Sequence, residues 1–143
     1  MERAEILIKV RNYHADNHNH VNNARYLEFF EESSWDFTEK YPHAGEVYDS
    51  LIKKGIIHVV VNINCNFRSG AVVGDVLRIE TELARSTGRS YTWSKKVYDN
   101  HTDKLVVDAE LTCVFIHSAS GAVVPITDEM TAVWPELANR MVR

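Results

Sequence analysis

The stretch Tyr13-His14-Ala15-Asp16-Asn17-His18-Asn19-His20-Val21-Asn22-Asn23-Ala24-Arg25-Tyr26 changes character part-way, from a polar loop into the first turn of a helix. From Asn23 to about Lys40, Tyr26, Leu27, Phe30, Ser34 and Phe37 recur at helical spacing, and Glu28, Glu31, Glu32, Asp36 and Glu39 fill the other positions. The spacing predicts one long amphipathic helix, with Trp35 and Phe29 off its apolar stripe and open to interface or ligand contact. Asn22 is its N-cap, because an Asn side-chain oxygen accepts a first-turn N–H. Pro42 and Gly45 end the helix, and a short helical turn follows around residues 47–54.

The rest of the chain alternates with period two. Before the loop, Ile6, Ile8 and Val10 share one face of a strand. After Gly55, Ile57, Val59, Val61, Ile63, Cys65 and Phe67 read as one unbroken apolar face, opposite His58, Val60, Asn62, Asn64, Asn66 and Arg68. A third strand turns Leu77, Ile79, Thr81 and Leu83 inward. A fourth, from Ser90 to Tyr98, pairs Tyr91 with Trp93 on one face, and a fifth presents Leu105, Val107, Ala109, Leu111, Cys113 and Phe115. A C-terminal helix starts near Thr127 or Asp128 and breaks at Trp134-Pro135, where proline removes a helix hydrogen bond. One-faced strands and a single long amphipathic helix must bury their apolar sides against each other. That predicts an α+β layer architecture with mostly antiparallel pairing.

With 143 residues, 45% of them hydrophobic, the chain fits one domain, 1–143. A net charge of -4 argues against nucleic-acid binding, since there is no basic surplus to neutralise phosphates. No run of about 18 apolar residues suggests a membrane span, and Glu2, Arg3 and Glu5 interrupt any signal-peptide core, so the expected location is the cytoplasm. Cys65 and Cys113 sit in apolar strands and read as reduced, buried thiols. His14, His18 and His20 match no closed zinc spacing, so no metal is expected; His14 and His18 read as solvated or rim positions.

The loop carries the chemistry. A helix N-terminus leaves backbone N–H groups unpaired at the positive end of the dipole, where they can hold a carbonyl oxygen as it gains negative charge. A carboxylate just ahead of it, Asp16, can activate water or attack the carbonyl carbon itself. The competing reading for Asp16 is a turn aspartate, the common job of Asp in a polar loop. Arg68, Arg85 and Arg89 are candidates for phosphate contact.

Asp16 followed by His20-Val21-Asn22-Asn23-Ala24-Arg25-Tyr26-Leu27 resembles the motif of hotdog-fold thioesterases of the 4-hydroxybenzoyl-CoA thioesterase type. Ile8-Lys9-Val10-Arg11, Arg25-Tyr26-Leu27-Glu28-Phe29 and Val59-Val60-Val61-Asn62-Ile63-Asn64 resemble more narrowly the long-chain acyl-CoA thioesterases of bacteria, the thioesterase III type. The resemblance implies a hotdog, a curved antiparallel sheet of about five strands wrapped around one central helix. It implies a homodimer or homotetramer with active sites between subunits. The implied reaction is hydrolysis of a medium- to long-chain fatty acyl-CoA to fatty acid and CoA, with no cofactor beyond the CoA of the substrate. Acyl carrier protein as the thiol carrier, or binding without catalysis, are the alternatives. By position, Asp16, the Asn23 N–H and His20 are the implied catalytic groups; Asn22, Tyr26, Arg68, Arg89 and Ser90 are the implied substrate contacts. Relatives often carry proline in the turn where this chain has Ser69-Gly70.

Overall fold

A computed structural model describes residues 3–139. The strands are β1 (Arg3–Lys9), β2 (Ile56–Phe67), β3 (Val76–Ser86), β4 (Tyr91–Asp99), β5 (Leu105–His117) and β6 (Val123–Val124). The helices are α1 (Asn23–Glu39), α2 (Ala44–Lys53), α3 (Asp128–Val133) and α4 (Glu136–Asn139). All pairings are antiparallel, in the order β1-β3-β4-β5-β2, with β6 extending β5 beyond the end of β4. The sixth strand exceeds the expected five; at two residues, directly before Pro125, it is too short to show a period.

The inward rows of β3 and β5 are those the alternation predicts: Leu77, Ile79, Thr81 and Leu83, then Val107, Ala109, Leu111, Cys113 and Phe115, all buried. Against them α1 buries Tyr26, Phe29, Phe30, Ser33 and Phe37. Full burial of a phenylalanine such as Phe30 contributes on the order of 2–3 kcal/mol. Two expectations for α1 change. Phe29 is buried against His14, and Leu27 is 41% exposed. Both follow from the placement of the helix, which packs chiefly on β1 and β3 and meets β2 through the Tyr26–Phe67 and Trp35–His58 ring contacts.

β2 departs from its predicted face. Val60 pairs with Cys113, but the next partners are Asn62 and Thr112, so Val61 is an extra residue in a bulge. Because side chains alternate with period two, one extra residue inverts every side chain beyond it. His58 and Val60, then Ile63, Cys65 and Phe67, therefore share register with the inward residues Phe115, Cys113, Leu111, Ala109 and Val107. Ile57 and Val59 fall on the outer face. The row from Ile57 to Phe67 is not one face, and Ile57, Val61, Ile63 and Phe67 all remain exposed on this edge strand.

Between Trp93 and Val97 the inward row of β4 holds Lys95, which has no exposed surface. Its Nζ donates to Ser33 Oγ (2.7 Å), Ser34 Oγ (2.6 Å) and Thr81 Oγ1 (3.1 Å), and it lies 5.0 Å from the Trp93 ring centroid. Three hydroxyl oxygens match the three N–H bonds of an ammonium. Burial nevertheless lowers its pKa from 10.5 to about 7, with Cys113 and Glu31 pulling weakly the other way. The unfolded chain thus binds more protons than the folded one between those two values, and stability rises with pH across that window. Denaturant titrations at pH 7 and pH 9.5 are expected to show a gain on the order of a few kcal/mol in the wild type that is absent in Lys95→Met. Parallel pH dependence in the two proteins would contradict this account of Lys95.

Candidate active site

The loop ahead of α1 is held from within. The His14 N–H donates to the Arg11 carbonyl, and the Arg11 N–H donates back to His14 Nδ1 at 2.9 Å, closing a short 3-10 turn. His14 is buried edge-on against Phe29, with ring centroids 5.1 Å apart, and burial followed by the Arg25 charge lowers its pKa. It is not the solvated position its polar setting suggests. From there the chain forms a narrow ribbon: Ala15 lies opposite Val21, the Asn22 N–H donates to the His14 carbonyl, and the Asp16 N–H donates to the His20 carbonyl. The Val21 N–H on the Ala71 carbonyl ties this ribbon to the segment after β2.

Asp16 stands at the exposed tip. Its Oδ1 accepts the His18 N–H at 2.9 Å and the His20 N–H at 3.4 Å, while Asn19 takes the left-handed conformation that closes the turn. The turn-aspartate geometry is therefore present, but it uses one oxygen; Oδ2 has no hydrogen-bond partner among the described residues. The His18 N–H contributes most to lowering the Asp16 pKa, and the His20 N–H adds to it. The carboxylate is ionised at neutral pH, as both a base and a nucleophile must be.

At the start of α1, Asn22 Oδ1 accepts the Ala24 N–H at 2.9 Å, the expected cap. The Arg25 N–H donates to the Asn22 carbonyl. The Asn23 N–H is left without an acceptor among the described residues, at the positive end of a 17-residue helix. The ribbon thus carries an unpaired donor and a half-free carboxylate, which suits attack on a polarised carbonyl.

The other sequence candidates are dispersed. His20 is exposed and bridges to Val72; its ring lies over Gly70, where an added Cβ would meet it at 3.6 Å. Tyr26 is core, 2% exposed, against Phe29 and Phe67; burial raises its hydroxyl pKa to about 12. Its ring is part of the core, and its hydroxyl makes no hydrogen bond among the described residues. Arg68 Nε donates to Asp108 Oδ2 at 2.7 Å, on the register that Asn66 shares with Asp108, away from α1. Arg89 and Ser90 lie in the β3–β4 turn, where Thr87 Oγ1 accepts both their N–H groups. That turn is at the far end of β3, because Lys9, just before the loop, pairs with Val76 at its start. Over an 11-residue strand this is roughly 35 Å. Within one subunit, Arg68, Arg89 and Ser90 do not meet Asp16. Among the described residues no cluster of three or more His, Cys, Asp or Glu could hold a metal ion.

An antiparallel sheet packed around one long helix defines a hotdog-fold protein of the thioesterase kind. Residues 10–134 match the model of the thioesterase-like superfamily, and the chain belongs to that family. It is similar to the Escherichia coli (strain K12) long-chain acyl-CoA thioesterase FadM, with 42% identity over 109 residues, 76% of this chain and 80% of FadM. The crystal structure of the probable thioesterase YbaW from Escherichia coli superposes with a TM-score of 0.77 at 33% identity, covering 96% of this chain and 98% of that one. A Staphylococcus aureus protein, SAV2348, solved in complex with CoA, shares the fold with a TM-score of 0.81 at 12% identity, covering 100% of this chain and 89% of that one.

The Asn22 cap separates stability from chemistry. Asn22→Ala is expected to lower unfolding free energy by about 1 kcal/mol. Asn22→Asp should keep the cap and the melting temperature, yet lower kcat by placing a carboxylate beside the forming oxyanion. Thermal melts with steady-state kinetics check both; equal kcat in wild type and Asn22→Asp would remove the helix end from the reaction.

Proposed function

We propose that the protein is an acyl-CoA thioesterase that hydrolyses fatty acyl-CoA of medium to long chain to the free acid and CoA. The observation that supports this reading is a ribbon that carries Asp16, with Oδ2 unpartnered among the described residues, and leads into the start of α1, where the Asn23 N–H has no acceptor among the described residues, in a member of the thioesterase-like superfamily. The similarity to FadM supports acyl-CoA as the substrate class. The Asn23 N–H receives the thioester oxygen, and Asp16 either takes a proton from attacking water or attacks the carbonyl carbon to form a mixed anhydride that water then opens. In both routes the thiolate of CoA leaves and gains a proton. His20 stands next to Asp16 on the ribbon and is the remaining candidate for proton transfer. A carboxylate and a backbone dipole suffice for this chemistry, so no cofactor is assigned. Residues 1–143 are taken as one domain, and two unpaired cysteines fit a reducing, cytoplasmic setting.

The working unit is a homodimer, the smallest of the assemblies the resemblance implies. β2 is a 12-residue edge strand with exposed Ile57, Val60, Val61, Ile63 and Phe67, the kind of edge that proteins normally cover. Antiparallel pairing of β2 with a second β2 about a two-fold axis brings the β3–β4 turn of one subunit to the Asp16 end of the other. Arg89 and Ser90 of the partner can then meet the phosphates of CoA bound at Asp16, which the geometry of one chain does not allow.

Asp16→Asn keeps an oxygen for the His18 and His20 N–H groups while abolishing the carboxylate. Thiol release from acyl-CoA is expected to fall at least about a hundredfold with an unchanged melting temperature. Undiminished turnover would exclude Asp16, and absence of turnover by wild type on any acyl thioester would exclude the function. Val61→Glu, which puts a charge in the bulge, should give monomers in analytical ultracentrifugation; a persistent dimer would exclude the β2 interface.

A further inference from the structure

The loop from Arg11 to Val21 is clamped at both ends by one short segment, residues 71–75, between β2 and β3. At the near end the Val10 N–H donates to the Asp75 carbonyl at 2.8 Å, and the Gly74 N–H donates to the Val10 carbonyl at 2.9 Å. At the far end His20 lies opposite Val72 in an antiparallel bridge, and the Val21 N–H reaches the Ala71 carbonyl at 2.9 Å. The turn within this segment is closed twice by one residue. The Asp75 N–H donates to the Val72 carbonyl at 3.1 Å, and Asp75 Oδ2 accepts the Val72 N–H at 2.9 Å. Gly74, with a φ of 97°, supplies the left-handed residue that so tight a turn requires. His20 in its turn holds Asp16 twice: its carbonyl accepts the Asp16 N–H at 2.9 Å, and its N–H donates to Asp16 Oδ1 at 3.4 Å. Val72 and His20 therefore connect the Asp75 carboxylate to that of Asp16, and each link is a hydrogen bond or a backbone pairing.

We propose that Asp75 is a positioning residue for the reaction, acting through Val72 and His20 to hold the Asp16 carboxylate in its working orientation. The inference rests on the thioesterase reading and adds a residue to it. Ala71, 1% exposed, anchors one end of the segment in the core, whereas Val72 and Val73 are 37 and 42% exposed, so side-chain packing does little to fix the turn. The Asp75 carboxylate does that work by satisfying the Val72 N–H, as a short acidic side chain does when it closes a turn on its own backbone. Without that acceptor the turn is free to adopt other conformations, and His20 moves with Val72. The consequence falls on Asp16 because the longer of its two side-chain bonds, the one from His20, lies at the end of this relay. A misplacement of about 1 Å at a reacting group can cost about a hundredfold in rate. An amide at position 75 keeps an acceptor oxygen, which separates the hydrogen bond from the charge.

The test is kcat and KM on dodecanoyl-CoA for wild type, Asp75→Ala and Asp75→Asn, each with and without Asp16→Asn. Asp75→Ala should lower kcat about tenfold or more and leave KM within about twofold, and Asp75→Asn should restore most of the loss. On the Asp16→Asn background Asp75→Ala should cost nothing further, because no carboxylate remains to be aimed; a general structural defect would instead multiply undiminished. Amide hydrogen exchange gives a readout without turnover. The Asp16 and Val21 amides, bonded to His20 and Ala71, should exchange faster in Asp75→Ala, while the amides of α1 keep their wild-type rates. Wild-type kcat in Asp75→Ala, the same loss retained on Asp16→Asn, or a loss that Asp75→Asn does not restore overturns the role of Asp75 and leaves the thioesterase reading standing. If Asp75→Ala does not fold, Asp75→Glu, which carries the carboxylate further from the backbone, decides by the same comparison. Absence of wild-type turnover on any acyl-CoA overturns both.

Discussion

A single helix about 10 Å wide must cover an antiparallel sheet whose five main strands, about 4.8 Å apart, span roughly 19 Å between outer strand axes. No placement of α1 covers both edges. The helix lies chiefly over β1 and β3, reaching β2 and β4 through rings such as Tyr26 on Phe67 and Phe37 on Trp93, and β2 is left with apolar residues exposed. The exposed apolar residues of the β2 edge are a consequence of that mismatch. Lys95 fits the same logic: Ser33 and Ser34 on the helix and Thr81 on β3 converge on its amine, joining helix to sheet at one polar point inside an apolar core. Such a point costs more than an apolar residue of equal volume, but it admits one helix position far better than its neighbours.

The ribbon before α1 resolves a conflict between two uses of aspartate. A carboxylate that only capped a turn would commit its oxygens to nearby N–H groups, whereas a catalytic carboxylate needs one exposed. The Asp16 side chain is compatible with both, because His18 and His20 share Oδ1 and leave Oδ2 without a partner among the described residues. The same bonds favour the ionised form, so the turn that orients the carboxylate also keeps it charged. Asn22 divides the helix end in a similar way, satisfying Ala24 and sparing Asn23.

Much of this was legible in residue order because most of the chain obeys a fixed period. β3 matches its alternation from Leu77 to Leu83 and β5 from Val107 to Phe115, while the expected inward Leu105 falls at a register irregularity where Val106 is buried instead, and α1 begins at Asn23 because a capping Asn precedes an amphipathic run. The Asp16-to-Leu27 motif pointed to the ribbon and helix start that are proposed as the site. What failed did so where the period breaks or where burial depends on partners distant in sequence. The bulge at Val61 has no residue signature, so the row from Ile57 to Phe67 read as one face when it is two. Lys95 did follow the inward alternation of Tyr91 and Trp93, but only the convergence of three hydroxyls, two of them about sixty residues away, makes a lysine tolerable there. His14 looked solvated because its burial under Phe29 comes from the fold of the loop itself.

The distances between candidate residues argue for an oligomer independently of the exposed edge. Asp16 and the β3–β4 turn stand at opposite ends of the sheet, so a substrate that needs both cannot be served by one chain. An antiparallel two-fold pairing exchanges those ends, since whatever lies at the Ile56 end of one β2 comes beside the Phe67 end of the other. The pairing that would satisfy the free backbone groups of β2 is thus the one that would bring the proposed phosphate contacts toward the proposed catalytic end. In the proposed dimer the β2 edge that the narrow helix leaves uncovered becomes the subunit contact, and the proposed catalytic residues would lie beside it.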